Sequence, residues 1–320
     1  MTSNFRIIFM GTPEFAVASL DILVRNGYSV VAVVTAPDRQ AGRGLEMTVS
    51  DVKKYALSKG LPVLQPQKLK DENFLAELRS YQADLQVVVA FRMLPEVVWN
   101  MPRLGTINLH GSLLPQYRGA APINRAVMNG EKETGVSTFF LQQQVDTGKI
   151  IFKQATPIGP NETAGEVHDR LMLIGAELLL KTVKAIDEGS YPQVDQQTLL
   201  QPGESLKEAP KIFKDDCRIQ WNHPAKVIHD FIRGLSPYPG AHTLLISPEG
   251  KQHPLKLFLA TPVESTLTPG AIHTDQKTFL ELGTANGAIR VTELQLAGKR
   301  KMGIGELLRG FPITDAWTIV

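Results

Sequence analysis

LQVVVAF, residues 85 to 91, is a nearly unbroken apolar run rich in β-branched residues. A strand with one wet face alternates apolar and polar residues. An unbroken run belongs to a strand covered on both faces, as in a parallel sheet between helical layers. Reading outward, FRIIFM (5–10), YSVVAVVTA (28–36), LPVL (61–64) and TINLH (106–110) repeat the pattern, with helical stretches between them and the first helix opening near Pro13-Glu14. GVSTFFLQ (135–142) and KIIFKQATPI (149–158) add two strands, and a long helix over about 162–188 packs behind them. The alternation predicts an α/β domain with a mostly parallel sheet and ligands at the carboxyl ends of its strands.

A chain of 320 residues suits two domains at the usual ~150 residues each, and 43% hydrophobic content is enough to fill their cores. A single cysteine excludes an internal disulfide framework, makes a thiolate-rich metal site hard to build, and points to a reducing compartment. Cys217 has no activating motif beside it and is assigned a structural role. The N-terminal apolar run is interrupted by Gly11-Thr12-Pro13-Glu14 where a signal peptide would continue, and no run approaches membrane-spanning length, so the expected location is cytoplasmic. Basic residues outnumber acidic ones 13 to 10 in residues 210–320 and fall short 21 to 22 in the rest. So small an excess fits a solvated surface as well as a nucleic-acid contact.

At GSYPQVDQQTLLQPGESLKEAPK (189–211) the pattern gives way to a stretch rich in Pro, Gly, Ser and Gln. A domain comprising residues 1–189, a linker at 190–209 and a second domain at 210–320 are expected. AKVIHDFIRGL (225–235) reads as a helix, and HTLLI, LKLFLA and AIRVTELQ as short strands between Pro and Gly turns, which together suggest a small β-barrel.

The polar residues of the fifth strand run are the candidate chemistry. In INLHGSLLPQYRGAAP (107–122), Asn108, His110 and Ser112 share one face and Ile107 and Leu109 the other. Singly, an Asn or a His there reads as a hydrogen-bonded core residue. Paired at a strand end, an amide and an imidazolium are suited to donate to a developing oxyanion. Asp146, in QQQVDTGKII (142–151), reads alone as part of a turn. Beside His110 it would orient the ring and move protons. The first βα junction, MGTPEF, lacks the glycine pattern of a dinucleotide or phosphate loop, so it reads as a tight turn into a helix whose N–H groups can touch an anionic substrate. No metal is expected, because His110 and Asp146 lack a third ligand at a telling spacing.

Asn-x-His-Gly-Ser-Leu-Leu-Pro at 108–115, Tyr-Arg-Gly-Ala-Ala-Pro at 117–122 and Asp-Thr-Gly at 146–148 resemble the folate-dependent formyltransferases. The likeness extends through IIFMGTPEFA, TAPDRQAGRG, RIQWNHPAKVIHDFIRGLSPYPGA and LQLAGKRKM, nearly the whole chain, and is nearest to the branch acting on tRNA. It implies a Rossmann-like catalytic domain and a C-terminal OB-like barrel that helps hold tRNA. The implied reaction carries a formyl group from 10-formyltetrahydrofolate to the α-amine of methionyl-initiator tRNA by direct attack of the amine. Asn108 and His110 would stabilise the oxyanion, and Asp146 would hold the imidazolium. Ser112, Leu113, Leu114, Pro115, Phe91 and Met93 are implied at the folate, and Arg39, Arg43, Lys299 and Arg300 at the tRNA.

Two departures from the family pattern stand out. VVVAFRMLPEVV is one residue shorter than in many relatives and has Arg92 where they have glycine, and Leu45-Glu46 replaces lysines found in some. A sugar-nucleotide formyltransferase would share the Asn, His and Asp and a similar second domain, but the arginine-bearing loop APDRQAGRG favours tRNA. A glycinamide ribonucleotide transformylase would not need residues 210–320. A tRNA-binding module without catalysis would leave the three polar residues with no task.

Overall fold

The computed structural model describes residues 4–41 and 46–320, which form two compact units. Met1–Gly119, Gly135–Thr156 and His168–Glu208 make up the first, and Ala120–Thr134, Pro157–Val167 and Ala209–Val320 the second.

The strands of the first unit are β1 (Arg6–Gly11), β2 (Ser29–Val34), β3 (Arg39–Ala41), β4 (Glu46–Thr48), β5 (Val63–Leu64), β6 (Leu85–Val89), β7 (Thr106–His110), β8 (Glu133–Phe140) and β9 (Ile150–Pro157). The main sheet has the order β5-β2-β1-β6-β7-β8-β9; β5 through β7 run parallel, and β8 is antiparallel to β7. Among the described residues the helices as far as residue 187 are α1 (Glu14–Arg25), α2 (Asp51–Ser58), α3 (Glu72–Ser80), α4 (Glu96–Trp99), α5 (Pro122–Met128) and α6 (Ala164–Asp187). Ser50 caps α2 by accepting the Lys53 amide N–H, and Asp71 caps α3 by accepting that of Phe74. Each cap satisfies a helix donor that would otherwise lack a partner.

The unbroken strand runs are sealed as their composition demands. All five residues of β6 are buried, as are Ile7 through Gly11 of β1, and on one face Ile8, Met10, Val34 and Val88 pack with Phe74, Leu78 and Val98. At Gly11 a Cβ would lie 2.7 Å from that of Ala16. The missing side chain lets α1 close on β1, so this glycine serves packing. Strand order reverses at β1, which has β2 on one side and β6 on the other. In such sheets the ligand crevice lies at the carboxyl ends beside the reversal. The loops leaving β6 and β7 occupy that edge, with Val89 in register with Leu109.

The second unit contains α7 (Ala225–Gly234), α8 (Ile304–Gly310) and strands β10 (Ala241–Ile246), β11 (Gln252–Val263), β12 (Ile272–Thr274), β13 (Leu280–Gly283), β14 (Ala288–Leu296), β15 (Met302–Gly303) and β16 (Thr318–Ile319). The order is β12-β13-β14-β11-β10-β16, with β15 on β14 and every pairing antiparallel. An Ala271–Thr318 bridge nearly closes the barrel. Ile228 and Ile232 of α7 join Leu245, Leu257, Ile289 and Leu294 in its core.

The contacts group some segments differently from their order in the chain. A single cut at 189 does not describe the contacts, because α5 and residues 157–167 group with the barrel. The amide of Asn124 donates to the Gly234 carbonyl (2.8 Å), and Arg233 donates to the carbonyl of Glu162 (2.8 Å). Residues 190–208, expected to be a linker, are part of the first unit. Val194 and Ile150 exchange two backbone hydrogen bonds of 2.9 Å, and the Tyr117 N–H donates to the Lys207 carbonyl (2.6 Å). Hydrogen bonds hold this segment where apolar content does not. Among the described residues no helix is long and apolar enough to cross a membrane.

Candidate functional site

Asn108 and His110 are the middle and last residues of β7, with the side-chain alternation expected of a strand. The two residues differ in what they already bind. Among the described residues the half-buried Asn108 amide has no hydrogen-bond partner, whereas the ring of His110, 6% exposed, is fixed. His110 Nε2 lies 2.8 Å from the Tyr117 carbonyl. A carbonyl only accepts, so Nε2 carries the proton, and Nδ1 is the nitrogen left for chemistry. The ring edge packs against Phe139 at 6.5 Å between centroids.

Asp146 completes the group. Its Oδ2 lies 3.8 Å from His110 Nδ1 and accepts the Gly119 N–H at 2.9 Å. At 3.8 Å the carboxylate and imidazole make no direct hydrogen bond, but both can face one intervening atom. Asp146 has φ +53°, a left-handed conformation that Asp tolerates better than most residues. Gly148 follows from sterics, because a Cβ there would lie 1.6 Å from the Phe140 carbonyl oxygen. The turn between β8 and β9 can therefore form only with that residue bare.

The six residues implied at the folate divide by burial. Ser112, Leu114 and Pro115 are buried. The Ser112 hydroxyl donates to the Gln116 carbonyl (2.7 Å), and Leu114 packs with Phe139 and Ile150. The Leu114 N–H donates to Ser137 Oγ (3.0 Å), and Lys153 donates to the Leu114 carbonyl (3.2 Å). These three residues shape the loop. Phe91 and Leu113 are half-buried and Met93 is 76% exposed, so they supply accessible apolar surface. Arg92 turns back onto the carbonyls of Pro66 and Gln67, and burial lowers its pKa. It anchors the shortened segment.

The tRNA residues are more dispersed. Arg39 is exposed at the start of the β3–β4 hairpin, next to Asp38, which is fixed by Lys53 (2.5 Å) and Gln65 (2.9 Å). Arg43 lies outside the described residues. Lys299 is exposed, and Arg300 pairs with Glu306 at 2.6 Å. Within the second unit is a groove of about 880 Å³ that composition alone did not reveal. Lys211, Lys214, Arg218 and Lys256 line it, no carboxylate does, and Phe213 and Tyr238 stand on it 61% and 82% exposed. Burial pushes up the pKa of the Cys217 thiol in its wall, in keeping with a structural cysteine. Among the described residues no group of three or more His, Cys, Asp or Glu side chains is placed to hold a metal ion.

The sequence models described as formyl transferase and formyl transferase, C-terminal domain match residues 5–183 and 211–312. The chain belongs to the formyl transferase family. It is 54% identical over 316 residues to the methionyl-tRNA formyltransferase of Bacteroides fragilis, covering 98% of this chain and 97% of that one. It is also 54% identical over 319 residues to that of Parabacteroides distasonis, covering 99% and 98%. Among solved structures, HypX from Aquifex aeolicus in complex with tetrahydrofolic acid superposes with a TM-score of 0.63 at 20% identity. The match covers 96% of this chain and 48% of that longer one. An N-formyltransferase from Helicobacter canadensis in complex with folinic acid and dTDP-3-aminofucose gives 0.62 at 17% identity, covering 92% and 99%. These two likenesses establish the formyl transferase fold; the full-length identities establish the branch of the family.

Proposed function

We infer that the chain transfers a formyl group from 10-formyltetrahydrofolate to the α-amine of methionine esterified to initiator tRNA, in the cytoplasm. The observation that carries this reading is the 54% identity to methionyl-tRNA formyltransferases across both units, barrel included. The folate donor is a co-substrate that supplies an electrophilic formyl carbon. The residues fit it: the Asn108 amide has no partner among the described residues, and Phe91, Met93 and Leu113 offer apolar surface for a flat ring.

Asn108 and His110 Nδ1 donate to the oxygen on which negative charge develops as the amine attacks. The His110 ring is already fixed, and a fixed donor costs no reorganisation at that moment. In the imidazolium form Nε2–H remains on the Tyr117 carbonyl while Nδ1–H is free for that oxygen. Asp146 faces the ring and accepts the proton shed by the amine, through the atom that its 3.8 Å gap to Nδ1 accommodates. For tRNA we assign Arg39, Arg43, Lys299, Arg300 and the barrel groove. Its four cations suit a phosphate backbone, and Phe213 and Tyr238 suit the face of an unpaired base.

Formylation of methionyl-initiator tRNA, run beside an amino-sugar nucleotide, tests the assignment. Transfer to the tRNA alone is expected, and transfer to the sugar alone would overturn it. Lys211→Ala/Lys214→Ala is expected to raise KM for the tRNA about tenfold and to reduce the slope of log(kcat/KM) against log salt by about 2, with KM for folate unchanged. An unchanged salt slope would remove the groove from the tRNA path.

A further inference from the structure

The side chain of Gln196 is the one most firmly tied to the Asp146 turn, and the sequence offers no reason to expect it. It sits in the segment that reads as a linker, at the start of a short 3-10 helix, Gln196–Leu199, capped by Asp195, and it is 1% exposed. All of its amide's hydrogen-bonding groups are engaged. Nε2 donates to the carbonyls of Asp146 and Gly148, each at 2.8 Å, and Oε1 accepts from Arg118 Nε (3.0 Å) and Nη2 (2.6 Å). A buried amide with every donor and acceptor satisfied holds its neighbours in one geometry.

The two ends of the bracket are the turn that carries Asp146 and the loop that holds the His110 ring. On one side is the Asp146 turn, in its left-handed conformation. On the other is the loop at residues 117–119, whose Tyr117 carbonyl accepts from His110 Nε2 and whose Gly119 N–H donates to Asp146 Oδ2. Arg118 lies between those two contacts. Its half-buried guanidinium feels the field of Asp146, although burial is the larger influence and lowers its pKa. The lacing of Val194 to Ile150 fixes the segment that carries Gln196.

Resting on the reading above, we propose that Gln196 is a positioning residue for formyl transfer: its amide ties the Asp146 turn to the Arg118 loop and sets the separation between the Asp146 carboxylate and His110 Nδ1. It touches neither substrate, so its effect runs through Asp146. Small displacements of a reacting group cost large rate factors, whereas binding surfaces elsewhere are unaffected.

Gln196→Met keeps the length and removes every hydrogen bond. Turnover should fall about tenfold or more, with KM for folate and for tRNA within about threefold of wild type. In an Asp146→Asn background the same change should cost less than about twofold, because the group it positions is already disabled. Arg118→Lys keeps the cation but gives up the two-pronged donation. It should lower turnover by a smaller factor that vanishes when combined with Gln196→Met, and it decides the matter should Gln196→Met fail to fold. Wild-type turnover in both variants, or losses that simply multiply with that of Asp146→Asn, would overturn the positioning role. An Asp146→Asn enzyme with normal turnover would instead overturn the catalytic assignment on which it rests.

Discussion

Asn108→Ala is expected to lower the rate of formyl transfer by about 10²-fold, with folate affinity and thermal stability near wild type. The amide has no partner among the described residues, so truncation breaks no protein hydrogen bond, and the half-buried site leaves no sealed cavity. A loss of rate would therefore report the transition state. His110→Ala should cause a comparable or larger loss, but at a structural cost. Its ring is buried and donates to the Tyr117 carbonyl at 2.8 Å. Removing it takes the 2.8 Å donor from that carbonyl, which Ser112 Oγ still approaches at 3.5 Å, at a cost of about 1–3 kcal/mol. Single-turnover transfer to charged tRNA, with folate titrated independently, separates the effects. If His110→Ala transfers at near the wild-type rate while folded and saturated, the oxyanion role is wrong.

The α/β unit was legible in the sequence because its strands must be dry on both faces. LQVVVAF, FRIIFM and TINLH are runs that no half-wet strand would tolerate, and they become β6, β1 and β7. The barrel was legible from short strands between turns, and the long helix from its periodicity, realised as Ala164–Asp187. The grouping of α5 and residues 157–167 with the barrel left no local trace. It depends on approaches such as that of Met128 to Gly234, where a Cβ on the glycine would come within 2.4 Å of the methionine side chain. Contacts between residues about a hundred positions apart are not encoded in the periodicity of either segment. The pairing of Arg39–Ala41 with Glu46–Thr48 likewise left no local trace, because the composition around it is that of a turn.

The site was legible in proportion to how unusual its residues are for their surroundings. Asn108 and His110 stand out within an apolar strand, and the bare Gly148 stands beside Asp146. Arg118 and Gln196 do not stand out. An arginine in a glycine-rich loop and a glutamine in a Gln-rich stretch read as solvated, and only the fold brings the buried amide within 2.6 Å of the guanidinium and 2.8 Å of the Asp146 carbonyl. The groove cations were missed for a related reason. Lys211, Lys214, Arg218 and Lys256 come from separate parts of the second unit, and a net excess of three charges over 111 residues hides their convergence.

Asp146→Asn should lower turnover by about 10²- to 10³-fold with KM values little changed. The substitution is well suited to the backbone. At φ +53° Asn is tolerated as readily as Asp, and its side-chain oxygen can still accept the Gly119 N–H that now reaches Oδ2 at 2.9 Å. That same oxygen is the atom 3.8 Å from His110 Nδ1, so the geometry is kept and only the charge is lost. The imidazolium loses its counter-charge, and no carboxylate remains to accept the proton leaving the amine. Folding should persist, with thermal unfolding shifted by no more than about 4 °C, the equivalent of about 1 kcal/mol. Asp146→Ala is the contrasting control. It should lose the same catalysis and a further ~1–2 kcal/mol of stability, because alanine pays the left-handed penalty that Asp and Asn largely escape. Rates at saturating substrates and unfolding midpoints for the pair distinguish charge from shape. Wild-type turnover in Asp146→Asn would leave the residue as a turn former only, and proton transfer would then need another acceptor.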